Sequence, residues 1–279
     1  TNRSLSYGEL RRSIYSLASA FFNRLEVRKG DVVFVSSSNS TFYSTICLAV
    51  FSVGAVVTTA NPINTESEIA KQVHDSGAKL AISTLKELHK LVPTGIPTIL
   101  TSHPSDGNML SIEELIEGCY SSPQLPQVPV AQSDTAANSS GTTGRSKGIL
   151  LTHANIISIM RLLFWQVDVS GSQDHVFLAF IPMFHIYGLI FFGLGLLCIG
   201  ITTVLKQKYD FQAMLVAIEK HKVNNPPAVP PIILALVKHS SKARCDLYSK
   251  VSCWQDIAQE SCFSKQISTC LQVMNNMNK

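Results

Sequence analysis

Between Asn138 and Gly148 the chain reads NSSGTTGRSKG, a run of glycine, hydroxyl, amide and cationic residues without one large apolar side chain. Glycine allows a tight turn and close approach of backbone to a ligand, while N–H groups, hydroxyls and an ammonium all offer hydrogen to an anion. Phosphate is the natural guest. The spacing separates this loop from other phosphate cradles. A Walker A loop needs G-x-x-x-x-G-K-[ST], but Lys147 comes three residues after Gly144 and is followed by Gly148. No G-x-G-x-x-G opens a helix and no G-x-S-x-G elbow occurs, so dinucleotide binding and serine hydrolysis lack their signals.

The loop needs a scaffold, and the flanking sequence predicts one. Ser6 to Glu9 has the form of a capping box, followed by a helical apolar stripe at Leu10, Ile14, Leu17, Ala18, Phe21 and Leu25 that Gly30 is expected to end. Strands are expected at Val32 to Val35, Val56 to Ala60, Lys79 to Ser83 and Thr98 to Thr101. Helices are expected at Phe42 to Val53, after a second capping box at Thr65 to Glu68, and at Ile112 to Tyr120. Pro123 to Val130 reads as a surface linker. Beyond the loop, helices are expected at Asn155 to Trp165, Leu189 to Gly200, Phe211 to His221 and Ile232 to His239, with strands at Val176 to Ile181 and Ile201 to Leu205. Strands alternating with helices at this spacing predict an α/β fold of layered, mostly parallel sheets.

Bulk properties narrow the function. The 279 residues are 46% hydrophobic and 15% charged, enough for a large core, and the net charge of +4 is scattered rather than gathered into a nucleic-acid footprint. Seven cysteines without a CxxC pair or zinc spacing suit a reducing compartment. Ile186 to Leu205 is uncharged and long enough to span a bilayer, but its four glycines and its β-branched end favour a buried helix followed by a buried strand.

Together with Leu151-Thr152-His153-Ala154-Asn155, the loop closely resembles the signature of AMP-forming adenylating enzymes. Three further stretches agree: Gly54 to Thr65, Pro182 to Gly188 (PMFHIYG) and Val229 to Pro231. Their wording looks most like plant 4-coumarate:CoA ligase and its ligase-like relatives, from about Ser4 to about Ser241. The resemblance implies the large N-terminal domain of these enzymes, and ATP-dependent activation of a carboxylic acid to an acyl-adenylate and then to acyl-CoA. The acid would be 4-coumarate-like, a hydroxycinnamate, or a fatty or jasmonate-precursor acid. ATP, Mg2+ and coenzyme A are the implied co-substrates and cofactors.

Residue by residue, the resemblance gives Ser139, Ser140, Gly141, Thr142, Thr143, Gly144 and Lys147 to the β- and γ-phosphates, His185 to the reacting carboxylate, Tyr187 to the acyl pocket and Lys208 to the second-step ligand. The residues alone allow plainer roles: a core histidine at His185, a half-buried aromatic at Tyr187, a solvated charge at Lys208. No metal ligand is assigned. Relatives carry an apolar strand immediately before the loop, and Asp134 to Ala137 is expected to form one shortened by about two residues, since a strand advances about 3.3 Å per residue.

Past Ser241 the cysteine-rich stretch to Lys279 does not read as the same domain, and is expected to be an atypical, frame-shifted tail. The resemblance further implies an adenine-binding stretch, a metal glutamate, a ribose aspartate and a lid with its lysine, and none of these is expected within this sequence. The expectation is therefore an incomplete domain over residues 1–241, inactive by itself. The alternative is a non-catalytic protein that pairs with a full-length ligase. A cytoplasmic setting is the default, because the chain ends in Asn-Lys rather than the peroxisomal signal of some relatives.

Overall fold

The computed structural model describes residues 4–104, 109–118, 126–131, 134–140, 148–169, 175–225 and 232. The helix expected from Ile232 to His239, apart from its first residue, and the tail from 242 to 279 lie outside these.

Helix α1 (Tyr7–Asn23) starts where Ser6 and Glu9 cap each other's backbone N–H groups, as the local pattern requires. It ends well before Gly30. Arg24 is its C-cap and Glu26 takes a positive φ of 51°, so Leu25 leaves the helix, and Gly30 serves the turn into β1 with φ 86°. The strands that follow are β1 (Val32–Ser36), β2 (Val56–Thr59), β3 (Ala78–Ser83) and β4 (Thr98–Leu100), joined by α2 (Thr41–Ser52), α3 (Glu66–Ser76) and two 3-10 turns at Leu85–Lys90 and Val92–Thr94. Thr65 and Glu68 box the start of α3, and Gly77 at φ 61° closes it. After α4 (Ile112–Glu117) come β5 (Thr135–Ser140), β6 (Gly148–Thr152) and α5 (His153–Val169).

These strands make one six-stranded sheet in the order β4-β3-β1-β2-β5-β6, parallel throughout except for β6, which returns antiparallel to β5. The sheet is covered on both faces, which is why its strands read as continuous apolar runs. Val33, Val35, Val57, Leu80 and Ile82 pack toward α1, α2, α4 and α5, whereas Phe34 and Ala81 pack the other way, onto Ile69 and Val73 of α3. A two-stranded parallel sheet of β7 (Val176–Ala179) and β8 (Thr202–Leu205) follows, with α7 (Phe211–His221) against it through Met214, Ala217 and Ile218.

Two expectations change. β5 is not shortened: it runs six residues and takes in Asn138, Ser139 and Ser140, because β2 on one side and the unforeseen β6 on the other satisfy its backbone. The segment expected as one helix from Leu189 to Gly200 is a π-helix at Gly188–Gly195 and a single α turn, α6 (Leu196–Cys198). Together with β8 they divide the uncharged run of Ile186 to Leu205. Among the described residues no helix is long and apolar enough to cross a membrane.

Candidate functional site at the carboxyl ends of two sheets

In open parallel sheets, ligands gather outside the carboxyl ends of the strands. Here the carboxyl ends of β1 and β2 meet those of β7 and β8, and three polar side chains join them.

Asn39, three residues past β1 and buried, does most of this. Its Nδ2 donates to the carbonyls of Ile181 (2.9 Å) and Lys206 (3.2 Å), and its Oδ1 accepts from the Met183 N–H at 2.7 Å. One amide thus fixes the residues that follow β7 and β8. Thr59, the last residue of β2, donates its hydroxyl to the Phe184 carbonyl at 2.7 Å. Gln207 donates to the Ser38 hydroxyl at 3.0 Å.

The PMFHIYG stretch is held in place by these contacts. Its turn closes through the His185 N–H to the Pro182 carbonyl (3.1 Å), and the His185 carbonyl accepts from the Leu189 N–H (2.9 Å) to begin the π-helix. Gly188 is obligatory for packing: a Cβ there would sit 2.0 Å from the Pro182 carbonyl oxygen. His185 is exposed. Its Nδ1 accepts from the Tyr187 N–H at 3.3 Å, so a neutral ring carries its proton on Nε2. The Tyr187 ring stacks on Phe191 at 5.6 Å and meets Phe192 edge-on, and burial pushes its phenol up to about 12, which keeps it a neutral donor.

Ser139 pairs in register with Thr59, so the residue that grips Phe184 also neighbours the end of β5 from which the glycine-rich loop departs. Loop and histidine motif are therefore anchored to one residue. Gly141, Thr142, Thr143, Gly144 and Lys147 lie outside the described residues; of the expected phosphate ligands, Ser139 and Ser140 are placed by their backbone at the end of β5. Lys208 lies three residues past β8, exposed, at the same ends of the strands. Among the described residues no three His, Cys, Asp or Glu side chains form a group that could hold a metal ion.

Sequence reasoning passed over Asn39 and Thr59. Asn39 sits in a serine-rich SSSNST stretch that reads as an ordinary turn, and Thr59 in a strand where a hydroxyl reads as filler. Their partners are more than a hundred residues away, so no local signal marks them.

The AMP-binding enzyme family matches residues 1–274. The chain belongs to that family. It is 36% identical over 259 residues to "Probable CoA ligase CCL5" of Humulus lupulus and 38% identical over 259 residues to "Peroxisomal OPC-8:0-CoA ligase 1" of Arabidopsis thaliana. In each case the match covers 89% of this chain and 47% of the relative. A long-chain-fatty-acid-CoA ligase from Archaeoglobus fulgidus shares the fold with a TM-score of 0.72 at 24% identity, over 85% of this chain and 47% of that one. The chain thus spans about half the length of the curated relatives it matches. In this chain the glycine-rich loop follows the carboxyl end of β5 and the PMFHIYG motif follows that of β7.

Proposed function

We propose that this chain carries the phosphate-gripping and carboxylate-facing half of an AMP-forming acyl-CoA ligase. In the first reaction of such an enzyme a carboxylate oxygen attacks the α-phosphorus of ATP, the bond to the bridging oxygen breaks, and pyrophosphate leaves with its electron pair. The coenzyme A thiolate then attacks the acyl carbon of the acyl-adenylate and AMP departs. The loop from Ser139 to Lys147 would bind the phosphates that become pyrophosphate, where fixed N–H groups and an ammonium stabilise the growing charge. His185, with its proton on Nε2, would donate toward the carboxylate or the α-phosphate oxygens, and Tyr187 would line the acyl pocket. Lys208 would contact the second-step ligand. Magnesium would arrive with ATP and supply neutralisation of the phosphate charge.

The observation that carries this reading is the double role of Thr59, which sets the loop's strand and the histidine's turn side by side. The acid proposed is 4-coumarate-like, a hydroxycinnamate, or a fatty or jasmonate-precursor acid, a choice supported by the likeness to ligases named for 4-coumarate and OPC-8:0. The reading is tested by acid-dependent exchange of labelled pyrophosphate into ATP, with equilibrium binding of ATP measured in parallel. Lys147→Ala is expected to lower ATP affinity about tenfold or more, the equivalent of one charge-assisted hydrogen bond. Identical binding by the parent and Lys147→Ala would sink it. A chain that binds ATP but catalyses no exchange supports a second reading, a nucleotide-binding partner of a full-length ligase, and co-purification at fixed stoichiometry tests that.

A further inference from the structure

We infer that β6 and the outer side of α5 form a docking face for a second copy of this chain, the two copies joined across a two-fold axis by antiparallel pairing of their β6 strands.

A sheet edge presents a row of open N–H and C=O groups, and native proteins guard such an edge with charge, proline or brevity. Among the described residues β6 pairs on one side alone, with β5, and so forms an end of the six-stranded sheet. Its sequence, GILLT, holds neither a charge nor a proline. The opposite end is guarded: β4 has three residues, and its last, Leu100, already bridges to Ser111.

The helix beside this edge is unfinished in the same way. Ile156 and Leu163 of α5 point into the core, with Leu163 against Gly195 of the π-helix. Trp165, two residues and about 200° further round the helix than Leu163, turns away from that contact. Leu162 and Phe164 flank it, and with Ile149 and Leu150 of β6 these side chains are 44 to 59% exposed. A helix that is apolar all round is one that a complete assembly buries.

The face suits its own copy. A two-fold axis through Leu150 sets Leu150 opposite Leu150 of the second copy and Ile149 opposite its Leu151, an isologous contact of apolar pairs. Because α5 packs against β6, such an axis places both α5 helices on one face of the joined sheet, on either side of the seam. Arg161, exposed on α5, is the only Lys, Arg, Asp or Glu between Gly148 and Trp165, so the copies bring little like-charge repulsion.

The area is sufficient. With about 150 to 250 Å2 for a fully buried aromatic and about 60 to 120 Å2 for an aliphatic side chain, the five residues offer about 400 Å2 per copy. Apolar atoms make up about 60% of an interface, which sets the footprint at about 1,300 Å2 for the pair, inside the range of specific interfaces. Nothing in this pairing depends on the function proposed above.

The inference is tested by sedimentation velocity of the full chain over a dilution series. The parent is expected to be a dimer that dissociates on dilution. Leu150→Lys at the centre of the seam, and separately Trp165→Gln, are each expected to weaken it about tenfold or more. Val92→Lys, an exposed change on a distant turn, is expected to leave it unchanged. Far-ultraviolet circular dichroism shows whether Leu150→Lys keeps its fold, and if not, Trp165→Gln decides. Leu150→Cys adds a readout of register: opposite residues of an antiparallel pair lie within disulfide reach, so mild oxidation is expected to yield a 150–150 linked peptide by mass spectrometry. The exposed Ile63→Cys is expected to yield no 63–63 peptide. A parent that is monomeric at every concentration overturns the inference, as does a dimer that folded Leu150→Lys leaves intact or whose Leu150→Cys peptides do not link. Open-ended oligomers overturn it too, since a closed two-fold contact stops at two copies. A monomer that instead binds a full-length ligase through Trp165 gives the face to that partner and refutes the dimer.

Discussion

Replacing Thr59 by valine removes one hydroxyl while keeping shape and β-branching. In the folded chain that hydroxyl donates to the Phe184 carbonyl at 2.7 Å from a site that is 8% exposed, so valine leaves a carbonyl of the histidine turn without its donor. Stranding a part-buried acceptor costs at most about 1 to 3 kcal/mol. For a chain of this size each kcal/mol lowers the melting temperature by about 2 to 4 °C. Thr59→Ser keeps the hydroxyl and loses only a methyl, so it is expected to stay closer to the parent. The assay is thermal unfolding of all three proteins, followed by equilibrium binding of ATP. ATP affinity is expected to fall about tenfold in Thr59→Val, the equivalent of about 1.4 kcal/mol, and to stay near the parent's in Thr59→Ser, because the end of β5 pairs in register with Thr59. If Thr59→Val melts with the parent, or if valine and serine fall together, the hydroxyl is not what holds the turn and the reasoning fails.

Asn39→Ala removes three hydrogen bonds between the two sheets, worth about 3 kcal/mol together. Urea midpoints are expected to fall accordingly, with Asn39→Asp lower still at neutral pH because a carboxylate would face two carbonyl oxygens. Gly188→Ala forces a methyl to 2.0 Å from the Pro182 carbonyl oxygen, and overpacking of this kind costs about 1 to 3 kcal/mol or more. Near-ultraviolet circular dichroism is expected to change with it, as Tyr187 shifts against Phe191 and Phe192. Burial holds the His153 imidazole below its usual value although Asp134 opposes the shift, so the unfolded chain takes up its proton first. Stability from this group is present above about pH 6.5 and is lost on acidification from there toward the lowered folded value. His153→Gln is expected to flatten that part of a pH–melting curve. The Asp134 carboxyl, held low chiefly by its bond to Lys29 and then by the Ala131 N–H, acts in a separate acidic window: its contribution is present above the ordinary carboxylate value and lost as pH falls through the folded one.

Much of the fold could be read from local pattern. Both capping boxes lie within four residues, and the chain forms both, because capping needs nothing beyond those residues. The apolar runs of β1 to β3 mark strands because both faces of a parallel sheet are covered. β6 escaped notice because GILLT is a short apolar run whose strand character comes from pairing with β5. The polar half of β5 escaped for the matching reason, since Asn and Ser carry little strand preference until neighbours on both sides complete their hydrogen bonds. The π-helix leaves no periodic signature in GLIFFGLG, where apolar residues surround the axis. His185 and Tyr187 were visible only through their flanking residues, and the Lys29–Asp134 pair, more than a hundred residues apart, through nothing in the sequence.

The strand order also fixes a timetable for folding. Pairing of β1 with β2 joins residues 24 apart, Val32 with Val56, whereas pairing of β2 with β5 joins residues 80 apart, Thr59 with Ser139. Closing the longer loop costs about 1 kcal/mol more chain entropy, and that entropy is spent before any contact is gained. The first four strands and the helices between them can therefore assemble around their own core while the hairpin of β5 and β6 is still unattached. The element that completes the candidate site is the late arrival, so a nascent chain holds a formed scaffold well before it holds the edge from which the glycine-rich loop departs.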